Sequence, residues 1–154
     1  LEAEVTNRAA VQEFVGCKRL ALVGASRSGK KFGNTVLREL SAKGYEVLPV
    51  HPDAQSIDGV VCWPRLEDIP GAVEGVVVVV PPAEAAKVVH EALEAGITRV
   101  WLQQGSESAE AIAQCEERGA LMVAGHCILM FAAPVRSVHR FHRFLWRLLG
   151  KLPR

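Results

Sequence analysis

The chain has 154 residues, 49% hydrophobic and 23% charged, with a formal net charge of +1, which suits one globular domain with a real core and excludes an intrinsically disordered chain. Its apolar runs are too short or too interrupted to span a bilayer, and no signal peptide is expected. Cys17, Cys62, Cys115 and Cys127 form no C-x-x-C pair, which argues against a zinc ribbon or disulfide framework and makes a reducing cytoplasm the expected compartment.

Asn7 is placed to cap a short first helix carrying Ala9, Val11, Phe14 and Val15, which stops near Gly16. Residues 20–23 read as the first strand, running straight into Gly24-Ala25-Ser26-Arg27-Ser28-Gly29-Lys30-Lys31. Phe32, Val36, Leu37 and Leu40 then recur at helical spacing until Gly44, and residues 46–50 form the second strand, completing a βαβ unit. Val60, Val61, Cys62 and Trp63 predict a short extended piece, and residues 66–70 a turn or single helical turn. The run Val76-Val77-Val78-Val79-Val80 is β-branched throughout and unalternating, as in a central parallel strand buried on both faces.

Pro82 opens a helix to Ala95, with Ala86, Val89, His90 and Leu93 available to face the sheet, and Gly96 ends it. Residues 98–102 are the fourth strand. Ser106 is the expected N-cap of a helix over 107–117, which Gly119 ends. Residues 120–124 are the fifth strand, with Gly125, His126 and Cys127 just beyond it. Strands alternating with helices at this spacing predict an α/β sandwich around a mostly parallel five-stranded sheet.

The loop after the first strand has the make-up of an anion site. Gly24 permits a sharp turn and close backbone approach, and the N–H groups at the following helix start point toward a negative guest. Gly24 to Lys30 satisfies G-x-x-x-x-G-K, but Lys31 stands where a Ser or Thr hydroxyl would hold magnesium, so nucleotide triphosphate hydrolysis is not the expected activity. The dinucleotide fingerprint G-x-G-x-x-G also fails, because Ser26 occupies its second glycine. The second strand runs into His51-Pro52-Asp53, with no acid at its end for ribose hydroxyls, and Asp53 serves only if the turn doubles back.

Ligands of open parallel sheets bind outside the carboxyl ends of the strands. Those ends are Gly24-Ala25-Ser26, Pro49-Val50-His51-Pro52, Val80-Pro81-Pro82, Gln103-Gln104-Gly105 and Gly125-His126-Cys127, which are expected to line one cleft. In this order they resemble the CoA-binding domain family, a Rossmann-like module found alone in small proteins and at the start of the succinyl-CoA synthetase alpha subunit and ADP-forming acyl-CoA synthetases. The markers are Val23-Gly24-Ala25-Ser26, the stretch from Gly44 to Pro52, Asp68-Ile69-Pro70, and Trp101-Leu102-Gln103-Gln104-Gly105. The likeness runs from about Val15 to Cys127. His51 departs from the Asn usual there in stand-alone relatives.

The resemblance implies a Rossmann-like three-layer sandwich that binds coenzyme A or an acyl-CoA, with Gly24, Ala25 and Ser26 holding phosphate and Pro81 and its neighbours covering the adenine side. The loop chemistry agrees with this. Ser26, Arg27, Ser28, Lys30 and Lys31 offer hydroxyls, N–H groups and cations to a pyrophosphate and a 3′-phosphate. The expected ligand contacts are Gly24, Ala25, Ser26, Arg27, Lys30, Lys31, Pro49, His51, Pro52, Val80, Pro81, Pro82, Gln104, Gly105 and Cys127. The plainer reading of Lys30 and Lys31 is that they are solvated charges ahead of a helix.

No catalytic residue is expected. His51, His126, His139 and His142 have no carboxylate placed by sequence to orient them. Cys127 beside His126 is no dyad, because neighbours on extended chain point to opposite sides; it reads as a half-buried thiol, or else as a partner for disulfide exchange with the CoA thiol. The expected function is therefore non-catalytic binding, with an NAD(P)-binding enzyme or redox-sensing module as the alternative.

Residues 1–133 form the expected domain and 134–154 a basic amphipathic helix. From Arg136 onward the chain carries Arg136, Arg140, Arg143, Arg147, Lys151 and Arg154 with no acid, around an apolar face of Val138, Phe141, Leu145, Leu148 and Leu149. Such a helix can lie on anionic membrane or nucleic acid. Docking on the sheet, or on a second subunit as a homodimer, is the expectation here, and nucleic acid is not an expected partner.

Overall fold

The computed structural model describes residues 2–134. In chain order it runs α1 (Glu2–Val15), β1 (Arg19–Val23), α2 (Phe32–Ala42), β2 (Glu46–Val50), β3 (Ser56–Ile57), β4 (Val60–Val61), β5 (Gly75–Val78), α3 (Pro82–Glu94), β6 (Arg99–Gln103), α4 (Ala109–Glu117) and β7 (Leu121–His126). Single 3-10 turns at Leu66–Asp68 and Ile128–Met130 complete it. The five long strands form one sheet in the order β2-β1-β5-β6-β7, every neighbouring pair parallel, while β3 and β4 make a separate antiparallel hairpin.

The strand period of two sorts the core into two layers. Leu20, Leu22, Val77, Trp101 and Val123 face α1 and α2, where Phe14, Val36, Leu37 and Leu40 meet them. Ala21, Val76, Val78, Val100 and Leu102 face α3 and α4, against Ala85, Val89, Ala92, Ala111 and Cys115. The result is a three-layer, Rossmann-like α/β sandwich. Burial on both faces explains why the β5 valines do not alternate with polar residues.

The glycine stops fall where the sequence places them. Gly44, Gly96 and Gly119 all have positive φ. Tyr45, Ile97 and Ala120 donate back to Leu40, Ala92 and Cys115, closing the same C-terminal motif on α2, α3 and α4.

Several local expectations are corrected. Helix α1 starts at Glu2, so Asn7 lies inside it and is not its cap. Phe32 and His90, expected on apolar faces, are exposed; α2 instead buries Gly33 and Asn34 along with Val36, Leu37 and Leu40. Strand β5 ends at Val78, leaving Val79 and Val80 in the connection to α3. Strand β7 continues through Gly125 to His126, because a bulge there pairs Gln103 with His126 after Leu102 pairs with Ala124.

Ser108, not Ser106, caps α4, its Oγ accepting from Ala111 N–H. The Ser106 hydroxyl accepts from Val80 N–H at 3.1 Å, tying the connection between β5 and α3 to the loop after β6. Ser106→Ala leaves that N–H without its acceptor, and the expected cost is about 1–2 kcal/mol in urea unfolding; an unchanged midpoint would show that water replaces the hydroxyl freely. The amphipathic helix expected over 134–154 lies, beyond Pro134, outside the described residues.

Candidate functional site

Strands β1 and β5 lie side by side, yet the chain leaves β1 toward β2 on one side, while β6 and β7 follow β5 on the other. This is the switch point of the sheet, and its carboxyl edge is where a crevice opens in such folds. Residues 24–31, the loop from β1 to α2, sit there.

Two glycines let this loop press against the sheet. Gly24 has φ +128°, and a Cβ on it would stand 1.9 Å from the Val79 carbonyl oxygen. A Cβ on Gly33, in the first turn of α2, would stand 2.4 Å from the Gly24 oxygen and 2.7 Å from Ala25 N. Backbone therefore stacks on backbone from β5 through the loop to α2, and no side chain fits between.

Asn34 holds the loop from below and is fully buried. Its Oδ1 accepts from Ser26 N–H at 2.8 Å, and its Nδ2 donates to Ser26 C=O at 2.9 Å and to Asp58 Oδ2 at 3.0 Å. Arg38, one helical turn on, donates to the same Asp58 oxygen at 3.2 Å and to Gly29 C=O at 3.3 Å. Asp58 comes from the turn between β3 and β4, where it and Gly59 both have positive φ, as a tight two-residue hairpin requires.

What faces outward is polar and cationic. The Ser26 and Ser28 hydroxyls share a hydrogen bond of 2.7 Å, and Ser28 Oγ also accepts from Lys30 N–H. Arg27, Lys30 and Lys31 are exposed. Among the described residues they join no ion pair, whereas Arg19, Arg38, Arg65, Arg99 and Arg118 each hold a carboxylate. Lys31 is the N-cap of α2, without a capping side-chain bond or an acid in the first turn. The positive end of the helix is left to whatever anion arrives.

The other strand ends lie along the same edge. At β2, Pro49 is buried, His51 half-buried and Pro52 exposed; His51 Nδ1 accepts from Asp53 N–H inside its own turn, and His51 N–H donates to Trp63 C=O. At β5, Val80 is half-buried, while Pro81 and Pro82 are exposed as N-cap and first residue of α3. Gln104 and Gly105 are exposed; the Gln104 amide donates to His126 C=O and the Gly105 amide to Glu107. Cys127 is half-buried, with Gln103 Nε2 2.9 Å from its Sγ, while Gln103 Oε1 accepts from Ile128 N–H. The other three thiols are buried, and desolvation pushes each of them up, Cys115 to about 11.

Sequence reading missed Gly33, Asn34, Arg38 and Asp58. Two signals were present: Asp58-Gly59 between Ile57 and the β-branched Val60-Val61 marks a hairpin, and Asn34 shares a helix face with Leu37, where a buried amide must find partners. A cavity beside α3, lined by Arg65, Leu66, Glu67, His90, Glu91 and Glu94, is dominated by acids and does not suit an anion. Among the described residues, no helix is long and apolar enough to cross a membrane.

Comparison with known proteins accords with this geometry. Residues 18–133 match the family described as CoA binding domain. Protein YneT of Bacillus subtilis (strain 168) is 31% identical over 111 residues, covering 72% of this chain and 82% of YneT. Acetate–CoA ligase [ADP-forming] II of Archaeoglobus fulgidus is 32% identical over 125 residues, which are 79% of this chain but only 19% of the ligase. Among solved structures, a conserved hypothetical protein from Pyrococcus furiosus superposes with a TM-score of 0.70 at 41% identity, covering 73% of this chain and 97% of its own. With the β1 loop, the β5 end and the strands between them all inside the matched span, this chain belongs to the CoA-binding domain family.

Proposed function

We propose that this chain binds coenzyme A or an acyl-CoA non-covalently at the carboxyl edge of its sheet, without catalysing a reaction on it. The observation that carries the reading is the loop 24–31: a backbone turn pinned at the switch point, presenting Arg27, Lys30 and Lys31 without carboxylate partners among the described residues. In this reading the Ser26 hydroxyl and the N–H groups at the start of α2 take the pyrophosphate. The cations take the remaining phosphate charge, including the 3′-phosphate.

Gly24 and Ala25 form the floor of the site. Pro49, His51 and Pro52 flank the nucleotide on the β2 side, while Val80, Pro81 and Pro82 cover the adenine. Gln104, Gly105 and Cys127 line the far side. Nicotinamide dinucleotides fit less well, because β2 ends at Val50 and runs into His51, with no acid at its tip. The three cations, however, suit the 2′-phosphate of NADP, which makes that cofactor the competitor to test.

Calorimetric titration with CoA, dephospho-CoA, NADP and NAD separates these readings. The expected result is CoA binding with a dissociation constant of about 1–100 μM, weaker binding of dephospho-CoA, and little response to NADP or NAD. Indifference to CoA together with tight NADP binding would overturn the proposal.

A further inference from the structure

The proposed ligand loop is braced by a carboxylate from the β3–β4 turn, which lies outside the β1-α2-β2 segment that carries the loop. We infer that Asp58 is a positioning residue: acting through Asn34 and Arg38, it holds residues 24–31 in the shape that receives a pyrophosphate. This inference rests on the CoA reading above.

An ionised carboxylate only accepts hydrogen bonds, so Asp58 Oδ2 requires donors, and Asn34 Nδ2 at 3.0 Å and Arg38 at 3.2 Å supply them. Each is thereby committed in direction. The Asn34 amide has its second N–H on Ser26 C=O, and its Oδ1 accepts from both Ser26 N–H and, at 3.3 Å, the Ser26 hydroxyl, so every bonding position of this buried side chain is filled. Arg38 turns its guanidinium to Gly29 C=O as well, fixing the loop at a second point. Gly29 has φ +74°, and a Cβ there would meet Asp58 Oδ1 at 3.3 Å.

A negative charge beside a phosphate site would normally oppose binding, but the ion pair with Arg38 offsets it. Because Asn34 occupies both backbone groups of Ser26, the group that residue offers a ligand is its hydroxyl oxygen, held between Asn34 Oδ1 and Ser28 Oγ, with the cations of Arg27, Lys30 and Lys31 beside it. Asp58 itself touches no ligand in this arrangement. The hairpin β3–β4 thus carries the brace in its two-residue turn.

Asp58→Gly removes the carboxylate while keeping a residue that accepts the φ of +50° at this turn. Asp58→Asn keeps an acceptor oxygen and the turn preference, and serves as the rescue. With the full chain, Asp58→Gly is expected to weaken CoA and inorganic pyrophosphate about tenfold, Asp58→Asn to recover binding to within about threefold, and the Ser26 amide of ligand-free Asp58→Gly to exchange about tenfold faster. Wild-type affinity in Asp58→Gly, or an unchanged Ser26 exchange rate, would overturn the assignment. If the wild-type chain ignores CoA, the functional reading falls, and exchange at Ser26 in the ligand-free variants alone decides the role of Asp58.

Discussion

Gly33→Ala should destabilise the domain by about 3 kcal/mol and abolish ligand binding at any concentration the destabilised chain tolerates. The sign is what makes the result informative. Gly33 lies in the first turn of α2 and needs no unusual backbone angle, so on helix propensity alone alanine would stabilise it by up to about 1 kcal/mol. Against that gain stands a Cβ placed 2.4 Å from the Gly24 oxygen, 2.5 Å from its carbonyl carbon and 2.7 Å from Ala25 N. All three are backbone atoms of a loop already seated on Val79, so none can swing aside as a side-chain tip would. The start of α2 must back away from β1 by about an ångström, and the close packing beneath it is lost. For a domain of this size, about 3 kcal/mol corresponds to a fall in Tm of roughly 6–12 °C. A Gly33→Ala protein that melts higher than wild type would mean that the loop yields, and that the stacked backbone does not define the site.

The parts of this fold that were legible in the sequence are those whose cause is local. A valine run buried on both faces announces β5, and glycines at Gly44, Gly96 and Gly119 announce helix ends, because each requirement lies within a few residues of its signal. The candidate site was half legible for the same reason. Gly24 and the cations belong to one loop, but the groups that brace it come from elsewhere. Asn34 meets Asp58 across 24 positions and Ser106 meets Val80 across 26, and nothing local marks either pairing. Ser106 precedes the helical run as a cap would, yet Ser108, two residues on, is the residue that caps α4. What decided between them was the Val80 amide, a tertiary demand.

Removing the three loop charges together, Arg27→Ala with Lys30→Ala and Lys31→Ala, should weaken CoA about 10- to 100-fold while moving Tm by no more than about 2 °C. Stability is spared because all three side chains are exposed and, among the described residues, form no ion pair. Affinity is not spared, because each cation contributes about 0.5–1 kcal/mol to phosphate binding at a solvent-facing site, and three neighbours on one ligand combine to about 1.4–2.7 kcal/mol, somewhat less than a full sum. Two further readouts tell specific phosphate contacts from a diffuse field. The preference for CoA over dephospho-CoA should shrink in the triple variant, since the 3′-phosphate loses its partners. The salt dependence of CoA binding should flatten as well, since screened surface charges are what salt acts on. If the variant binds CoA within threefold of wild type, the cations are solvated helix-start charges and the loop holds its ligand by backbone and hydroxyl groups alone. If NADP, not CoA, is the ligand whose affinity collapses, the same three residues read a 2′-phosphate, and the chain is a dinucleotide binder on a CoA-family fold.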